Sequence, residues 1–297
     1  MAVPIKAWFL ALRPKTLTAA IVPVVVATGL VHGQGFPVIW WISVCAMLSA
    51  IFIQIGTNFV NDAIDFKKGA DTETRTGPQR VTQGGLLTSK QVMKGAGVCF
   101  MIAFVLGIPL VLKGGIPIIF IGLISIALAY GYTGGPFPLA YKGLGDLFVI
   151  VFFGLIAVMT TFYLHTGFID MRALVAGFQV GFLATVLIAI NNLRDQPQDK
   201  LIGKKTLAVR FGVTFARIEI AFMVVAPFLL GIFWFNQGWI SAAVLPILAF
   251  AFAHRVIRGV CTSEPGPIFN RYLAMSAALQ MVFGLLLAIG FWMKAGQ

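Results

Sequence analysis

Nine apolar stretches, each bounded by charges or turn residues, divide a chain of 297 residues almost from end to end. They run approximately from Leu17 to Val31, Val38 to Val60, Val92 to Leu112, Ile116 to Tyr130, Leu147 to His165, Leu174 to Ile190, Phe215 to Phe235, Ile240 to Phe252 and Tyr272 to Met293. A helix needs about 20 apolar residues to cross the hydrocarbon layer of a membrane, so nine of them leave only short connections. Lipid offers the backbone no hydrogen bonds, which restricts such segments to helices. The pattern therefore predicts an all-α, polytopic membrane protein of about nine transmembrane helices in one bundle. We read it as a single domain over residues 1–297, with cap loops near 61–91 and 191–214. With 59% hydrophobic and 11% charged residues, an ordinary soluble enzyme and a disordered chain are both excluded. Pro23, Pro109 and Pro227 lie inside stretches and predict kinks. The first stretch follows Arg13 and Lys15 but lacks a small-residue cleavage site, and is read as a retained anchor rather than a signal peptide.

Charge orients the spans. If the stretches alternate in direction, all but three of the 22 Lys and Arg fall on the side of the N-terminus. The exceptions are Lys113, Arg172 and Lys294. That asymmetry is what the positive-inside rule expects of a cytoplasmic face, so the N-terminus is placed inside and the C-terminus outside. The net charge of +12 then needs no nucleic acid to explain it. By the same parity every acid except Asp170 lies on the cytoplasmic side.

Six of these acids crowd into two windows, one after the second stretch and one after the sixth. The first holds Asp62, Asp65, Asp71 and Glu73; the second holds Asp195 and Asp199. Gln54, Asn58, Asp62 and Asp65 recur at helical spacing and form one polar stripe descending into the second span. Thr185, Asn192, Asp195 and Asp199 form a similar stripe on the sixth, which Pro197 is expected to break near Gln196, leaving Asp199 to a loop. A carboxylate at the centre of a span costs about 2.5 to 3.5 kcal/mol on insertion scales, so something positive should sit among these groups. Mg2+ prefers oxygen ligands and is usually held by a few carboxylates together with substrate phosphates. With Lys67, Lys68, Arg75, Arg80, Arg194, Lys200, Lys204, Lys205 and Arg210 nearby, the windows suggest a site for magnesium and a diphosphate.

Other patterns carry less. Gly203 to Thr206 resembles the end of a phosphate-binding loop, but the upstream glycine and the preceding strand are missing. The string from Asp65 to Glu73 lacks the alternating acids of a calcium loop. Cys45, Cys99 and Cys261 are isolated and imply neither a disulfide framework nor a zinc site. His32, His165 and His254 each stand alone near a span end.

Taken together, these residues resemble the UbiA superfamily of intramembrane aromatic prenyltransferases, whose nine helices carry one acidic motif after helix two and another after helix six. Asn61, Asp62 and Asp65 match the start of the first motif, NDxxDxxxD. Its third aspartate falls at Gly69, with Asp71 two residues later. Asp195 and Asp199 match the second motif, DxxxD, followed by Gly203, Lys205 and Thr206. The strings RPKTL from Arg13, GPQR from Gly77, YTGGPFPLAYKGLGD from Tyr132, NNLRD from Asn191 and GKKTLAVRFG from Gly203 are similar to the branch that prenylates 1,4-dihydroxy-2-naphthoate on the route to menaquinone.

The resemblance implies Mg2+-dependent transfer of a polyprenyl group from an allylic diphosphate to the naphthoate, with loss of carbon dioxide. Asn61, Asp62, Asp65, Asp71, Asp195 and Asp199 are then the expected metal ligands, and Asp62, Asp65, Asp195 and Asp199 the catalytic carboxylates. Arg80, Lys142, Lys205 and Arg210 are the candidates for the diphosphate, and Arg13, Lys15, Asn58 and Asn192 for the aromatic acid. Tyr130, Tyr132, Tyr141 and Tyr163 are candidates for facing an allylic cation. Gly107, Gly122 and Gly154 are expected to line a tail tunnel or, more ordinarily, to let helices pack closely. The implied location is a bacterial cytoplasmic membrane, with the site facing the cytoplasm. Prenylation of 4-hydroxybenzoate or homogentisate is a second reading. An ion-coupled transporter is a third, disfavoured because the acids gather at one face.

Overall fold

Long apolar runs in this sequence become helices because each satisfies its own backbone polar groups, and the polar residues between them supply the ends. The computed structural model describes residues 5–70 and 76–294, and within these the secondary structure is helical throughout. Asp71, an expected ligand, lies outside the described residues. The helices are α1 (Ile5–Leu12), α2 (Thr18–Gly33), α3 (Trp40–Lys67), α4 (Ser89–Gly114), α5 (Ile116–Gly131), α6 (Gly145–Val149), α7 (Ala157–Thr166), α8 (Met171–Arg194), α9 (Gln196–Leu201), α10 (Leu207–Leu229), α11 (Gly231–Asn236), α12 (Ile240–Val244), α13 (Phe250–Thr262) and α14 (Phe269–Lys294). A π-helical stretch, Ile150–Ile156, joins α6 to α7.

Local chemistry explains several starts and stops. Thr88 and Gln91 form a reciprocal capping box at the head of α4, with Thr88 N donating to Gln91 Oε1 at 2.8 Å and Gln91 N to Thr88 Oγ1 at 3.2 Å. Thr206 caps α10 through Val209 N. Gly212, at φ 85°, turns the chain one helical turn later, before the helix resumes. Pro197 acts as the sequence suggested, ending α8 at Arg194. The chain then continues as the short helix α9, so Asp199 comes from a helix and not from a loop.

All nine expected stretches are helical, although not all are uninterrupted spans. Among the described residues, seven segments are long and apolar enough to cross a membrane, and an eighth is gained if α2 and the preceding helical segment, bent by 50°, count as one. The 16 residues of α5 reach about 24 Å at 1.5 Å per residue, short of the hydrocarbon thickness. The count of nine is thus approximate.

The most buried of the long segments is α8, which packs against α10, α14 and the π-helical stretch. Gly154 of that stretch sits against Gly177 and Gly181 so closely that a Cβ on it would lie 2.5 Å from Gly177 O. This glycine therefore serves close packing. Gln179 supplies the polar link inside α8: its Nε2 donates to Pro227 O and its Oε1 accepts from Trp234 Nε1, both at 2.8 Å. At the other end of the bundle from the acidic windows, His165 accepts from Ile39 N and pairs with Ser43 Oγ, while His32 stacks on Trp292. Both histidines are structural contacts.

Candidate active site

The last turns of α3 carry the first polar stripe, and Gln54, Asn58, Asp62 and Asp65 are all buried on one face. Their tasks differ. Asp62 Oδ1 accepts from Thr82 N at 3.1 Å and from the Thr82 hydroxyl, and Oδ2 accepts from Val81 N at 3.3 Å. It therefore anchors the loop between α3 and α4. Asp65 Oδ1 accepts from Tyr141 Oη at 2.9 Å, and Oδ2 lies 3.7 Å from Arg80 Nη2. Asn61 Oδ1 accepts from the Thr133 hydroxyl.

The second window meets the first at the same end of the bundle. Asp195 is clamped by Arg194 in a bidentate pair, at 2.7 Å from Nε and 2.6 Å from Nη2, and also accepts from Thr76 Oγ1. Asn270 ties this clamp to α14 by accepting from Arg194 Nη1 and donating to Thr76 O. Asp199 is buried, with Lys204 Nζ 3.4 Å from its Oδ1. On α8, Thr185 Oγ1 bonds to Gly181 O in its own helix, so that part of the second stripe is structural.

Tyr141 joins the two windows. Its hydroxyl holds Asp65, while the ammonium groups of Lys68 and Lys204 lie 4.1 and 5.0 Å from its ring centroid. Burial, with Asp195 and Asp65 nearby and Lys204 opposing them, pushes the Asp199 carboxyl up to about 6. Burial alone would lower Lys204, but Asp65, Asp199 and Asp195 outweigh it and raise it, so this lysine stays charged. Lys68 is lowered by burial and by Lys204, against the pull of Asp65.

The basic residues singled out from sequence separate accordingly. Arg80 is buried beside Asp65. Lys142, Lys205 and Arg210 are exposed and pin the cap loops: Lys205 N donates to Tyr141 O at 3.0 Å, Arg210 Nη2 donates to Lys142 O at 2.8 Å, and Lys142 Nζ rests over Phe137. Lys204 takes the inner position, while Lys68, although exposed, donates from Nζ to Thr133 O at 2.8 Å. Their sequence neighbours are equally basic, so no sequence signal distinguished them.

Beneath this cluster lies a cavity of about 670 Å³ with a polar head formed by Arg13, Thr16, Gln54, Asn58, Asn61 and Asn191. Asn58 Nδ2 donates to Leu12 O at 2.9 Å and to Thr16 Oγ1 at 3.0 Å, and Arg13 Nη2 lies 3.4 Å from Asn58 O. Of the four residues expected for the aromatic acid, Arg13 and Asn58 line the cavity. Lys15 is exposed and, like Asn192, is outside the lining, where Asn191 stands instead. Below the head the walls are apolar. Gly107 and Gly122 face open space there, and Ile108, Leu112, Ile119 and Leu123 belong both to the lining and to the exposed apolar surface. The cavity therefore opens sideways between α4 and α5. Tyr132 lines it, whereas Tyr163 bonds to Gly114 O at the opposite end and Tyr130 is exposed.

The donor set suits magnesium only in part. Among the described residues no three acids, histidines or cysteines converge into a metal cage. Asp65 is close enough for its charge to act on Asp199. One or two carboxylates completed by substrate phosphates and water are the usual protein share of a magnesium site, and these two fit that share.

The cluster and the apolar cavity lie within a bundle of helices long and apolar enough to cross a membrane, the setting of a membrane-embedded enzyme. Residues 20–278 match the UbiA prenyltransferase family, and the chain belongs to it. It is 34% identical to the 1,4-dihydroxy-2-naphthoate octaprenyltransferase of Haemophilus influenzae, over 96% of this chain and 97% of that one. Its fold is similar to that of a UbiA homologue from Aeropyrum pernix, with TM-score 0.72, 13% identity and coverage of 92% and 97%. It also resembles a UbiA homologue from Archaeoglobus fulgidus bound to DMAPP and Mg2+, with TM-score 0.60, 14% identity and coverage of 95% and 99%.

Proposed function

We propose that this prenyltransferase joins a polyprenyl chain to 1,4-dihydroxy-2-naphthoate, releasing diphosphate and carbon dioxide and giving the demethylated menaquinone precursor. The observation that carries the reading is the buried cluster of Asp65, Arg80, Asp199 and Lys204, in which Asp65 stands one helical turn from Asn61, part of the polar head of an otherwise apolar-walled cavity. The full-length similarity to a naphthoate octaprenyltransferase supports the acceptor. The one-sided distribution of Lys and Arg supports a cytoplasmic mouth.

Asp65 and Asp199, with Asn61, Asp62 and Asp195 around them, would hold Mg2+ against the diphosphate, and Asp71 remains a ligand that the family resemblance alone suggests. Bound there, the metal supplies positive charge to the leaving group. Lys204, Arg80 and Lys68 add charge-assisted hydrogen bonds to the phosphate oxygens. Lys204 and Arg80 pair with Asp199 and Asp65, and a diphosphate offers them a competing partner. The allylic cation forms below, where apolar walls exclude water and the Tyr132 ring faces the cavity. Arg13 and Asn58 orient the carboxylate and hydroxyl of the acceptor. The tail leaves between α4 and α5, past Gly107 and Gly122, into lipid as apolar as itself.

Purified protein given one polyprenyl diphosphate, Mg2+ and each of 1,4-dihydroxy-2-naphthoate, 4-hydroxybenzoate and homogentisate tests the reading by product mass. A decarboxylated, prenylated naphthoquinol as the dominant product is expected. Preferential prenylation of another ring overturns the acceptor assignment, and ion-coupled flux in sealed vesicles without prenylated product overturns the enzyme reading.

A further inference from the structure

Asp146 has no part in the cluster above. It lies at the start of α6, inside the apolar segment Gly145–Thr166, and is only 4% exposed. Apart from its own backbone N–H, neither carboxyl oxygen meets a hydrogen-bond donor among the described residues. Buried polar groups are nearly always satisfied, and one that is not calls for a reason. An acid inside a spanning segment is expensive and commonly marks function.

The Tyr132 hydroxyl is also buried without a partner, and its side chain lines the cavity where the acceptor would sit. The two residues meet at Gly145. A Cβ on Gly145 would lie 2.9 Å from Tyr132 Oη, so the missing side chain lets the hydroxyl approach the backbone beside Asp146. Among the charges acting on Tyr132, Asp146 is the strongest, ahead of Asp65 and Asp199. Burial and these carboxylates keep the hydroxyl protonated, suiting it to pass a proton on rather than to store one. Glu219 of α10 also lies within the field of Asp146.

We propose that Tyr132 and Asp146 form a proton relay for the aromatic acceptor, in which Tyr132 touches the ring oxygen and Asp146, a positioning residue, acts through it. As the ring carbon attacks, the new C–C bond forms and the allylic C–O bond breaks, its electron pair leaving with diphosphate. The neighbouring ring hydroxyl becomes a ketone and gives its proton to Tyr132, whose own proton passes through one bridging water to Asp146, because the two side chains are not in direct hydrogen-bond contact. Loss of carbon dioxide returns an electron pair to the ring as an enolate, and the proton travels back to that oxygen. No oxidant is needed and no net proton is consumed. The relay rests on the hydroxy-aromatic acceptor proposed above.

The test uses the full chain in detergent or vesicles with a polyprenyl diphosphate, Mg2+ and acceptor, following prenylated ring, prenyl alcohol and diphosphate separately. Asp146→Asn is expected to lower kcat for ring transfer by about 10²-fold, the lower end for loss of general acid–base help. KM for both substrates and Mg2+-dependent diphosphate release should stay near wild type, with prenyl alcohol replacing the missing product. Tyr132→Phe should give the same split, and Asp146→Glu should recover part of the transfer. Unchanged transfer in Asp146→Asn overturns the relay, and so does a parallel fall of transfer and diphosphate release, which would make Asp146 structural. A wild-type protein that prenylates a different aromatic acid refutes only the acceptor assignment, and the split is then measured with that acid.

Discussion

Asp65→Asn is expected to lower prenyl transfer by about 10³-fold, the upper end for removing one group that stabilises developing negative charge. Asparagine keeps the size of the side chain and still accepts the 2.9 Å hydrogen bond from Tyr141 Oη, so the helix end and the cap loop stay joined. What it removes is the negative charge facing Asp199 across the mouth, and with it half of the share that the protein offers a magnesium–diphosphate pair. Activity in membranes at matched protein levels, measured at saturating Mg2+, checks this. A loss smaller than about tenfold would place Asp65 outside the metal–diphosphate machinery, since losses there are typically 10² or more.

The second large effect separates two adjacent lysines. Lys204→Met is expected to reduce kcat by about 10²-fold, whereas Lys205→Met should leave it nearly unchanged. Lys204 Nζ lies 3.4 Å from Asp199, over the Tyr141 ring and in the field of three aspartates. Lys205 is exposed and contributes its backbone N–H to Tyr141 O, a bond that methionine retains. The comparison needs only steady-state rates for the two variants. Equal losses would show that the mouth uses diffuse positive charge and not one placed ammonium.

How far the site could be read before folding depends on which signals are periodic. The stripe of Gln54, Asn58, Asp62 and Asp65 was legible because helical spacing forces one face, and all four are buried there. Pro197 announced the break after α8 for a steric reason that holds in any context. Asp62 was recognisable as important, but its bonds to Val81 and Thr82 depend on a loop path that no spacing encodes. Lys204 was indistinguishable from Lys205 until the turn before α10 sent one side chain inward and the other outward. Asp146 carried no spacing signal, because its burial comes from the packing of α6 against α8, which is remote in sequence. The interrupted spans were similarly hidden: hydropathy sees apolar residues, not the π-helical stretch at Ile150–Ile156 or the turn at Gly212.

The central claim is that carboxylates from two distant parts of the chain serve one bound diphosphate. A double-mutant cycle tests it most directly, comparing kcat/KM for the polyprenyl diphosphate in wild type, Asp65→Asn, Asp199→Asn and the double variant. Groups that act as a unit lose their effect together, so the double variant should fall within about tenfold of the worse single one. Losses that multiply across the pair would mean that the two aspartates work independently, and would contradict a shared site.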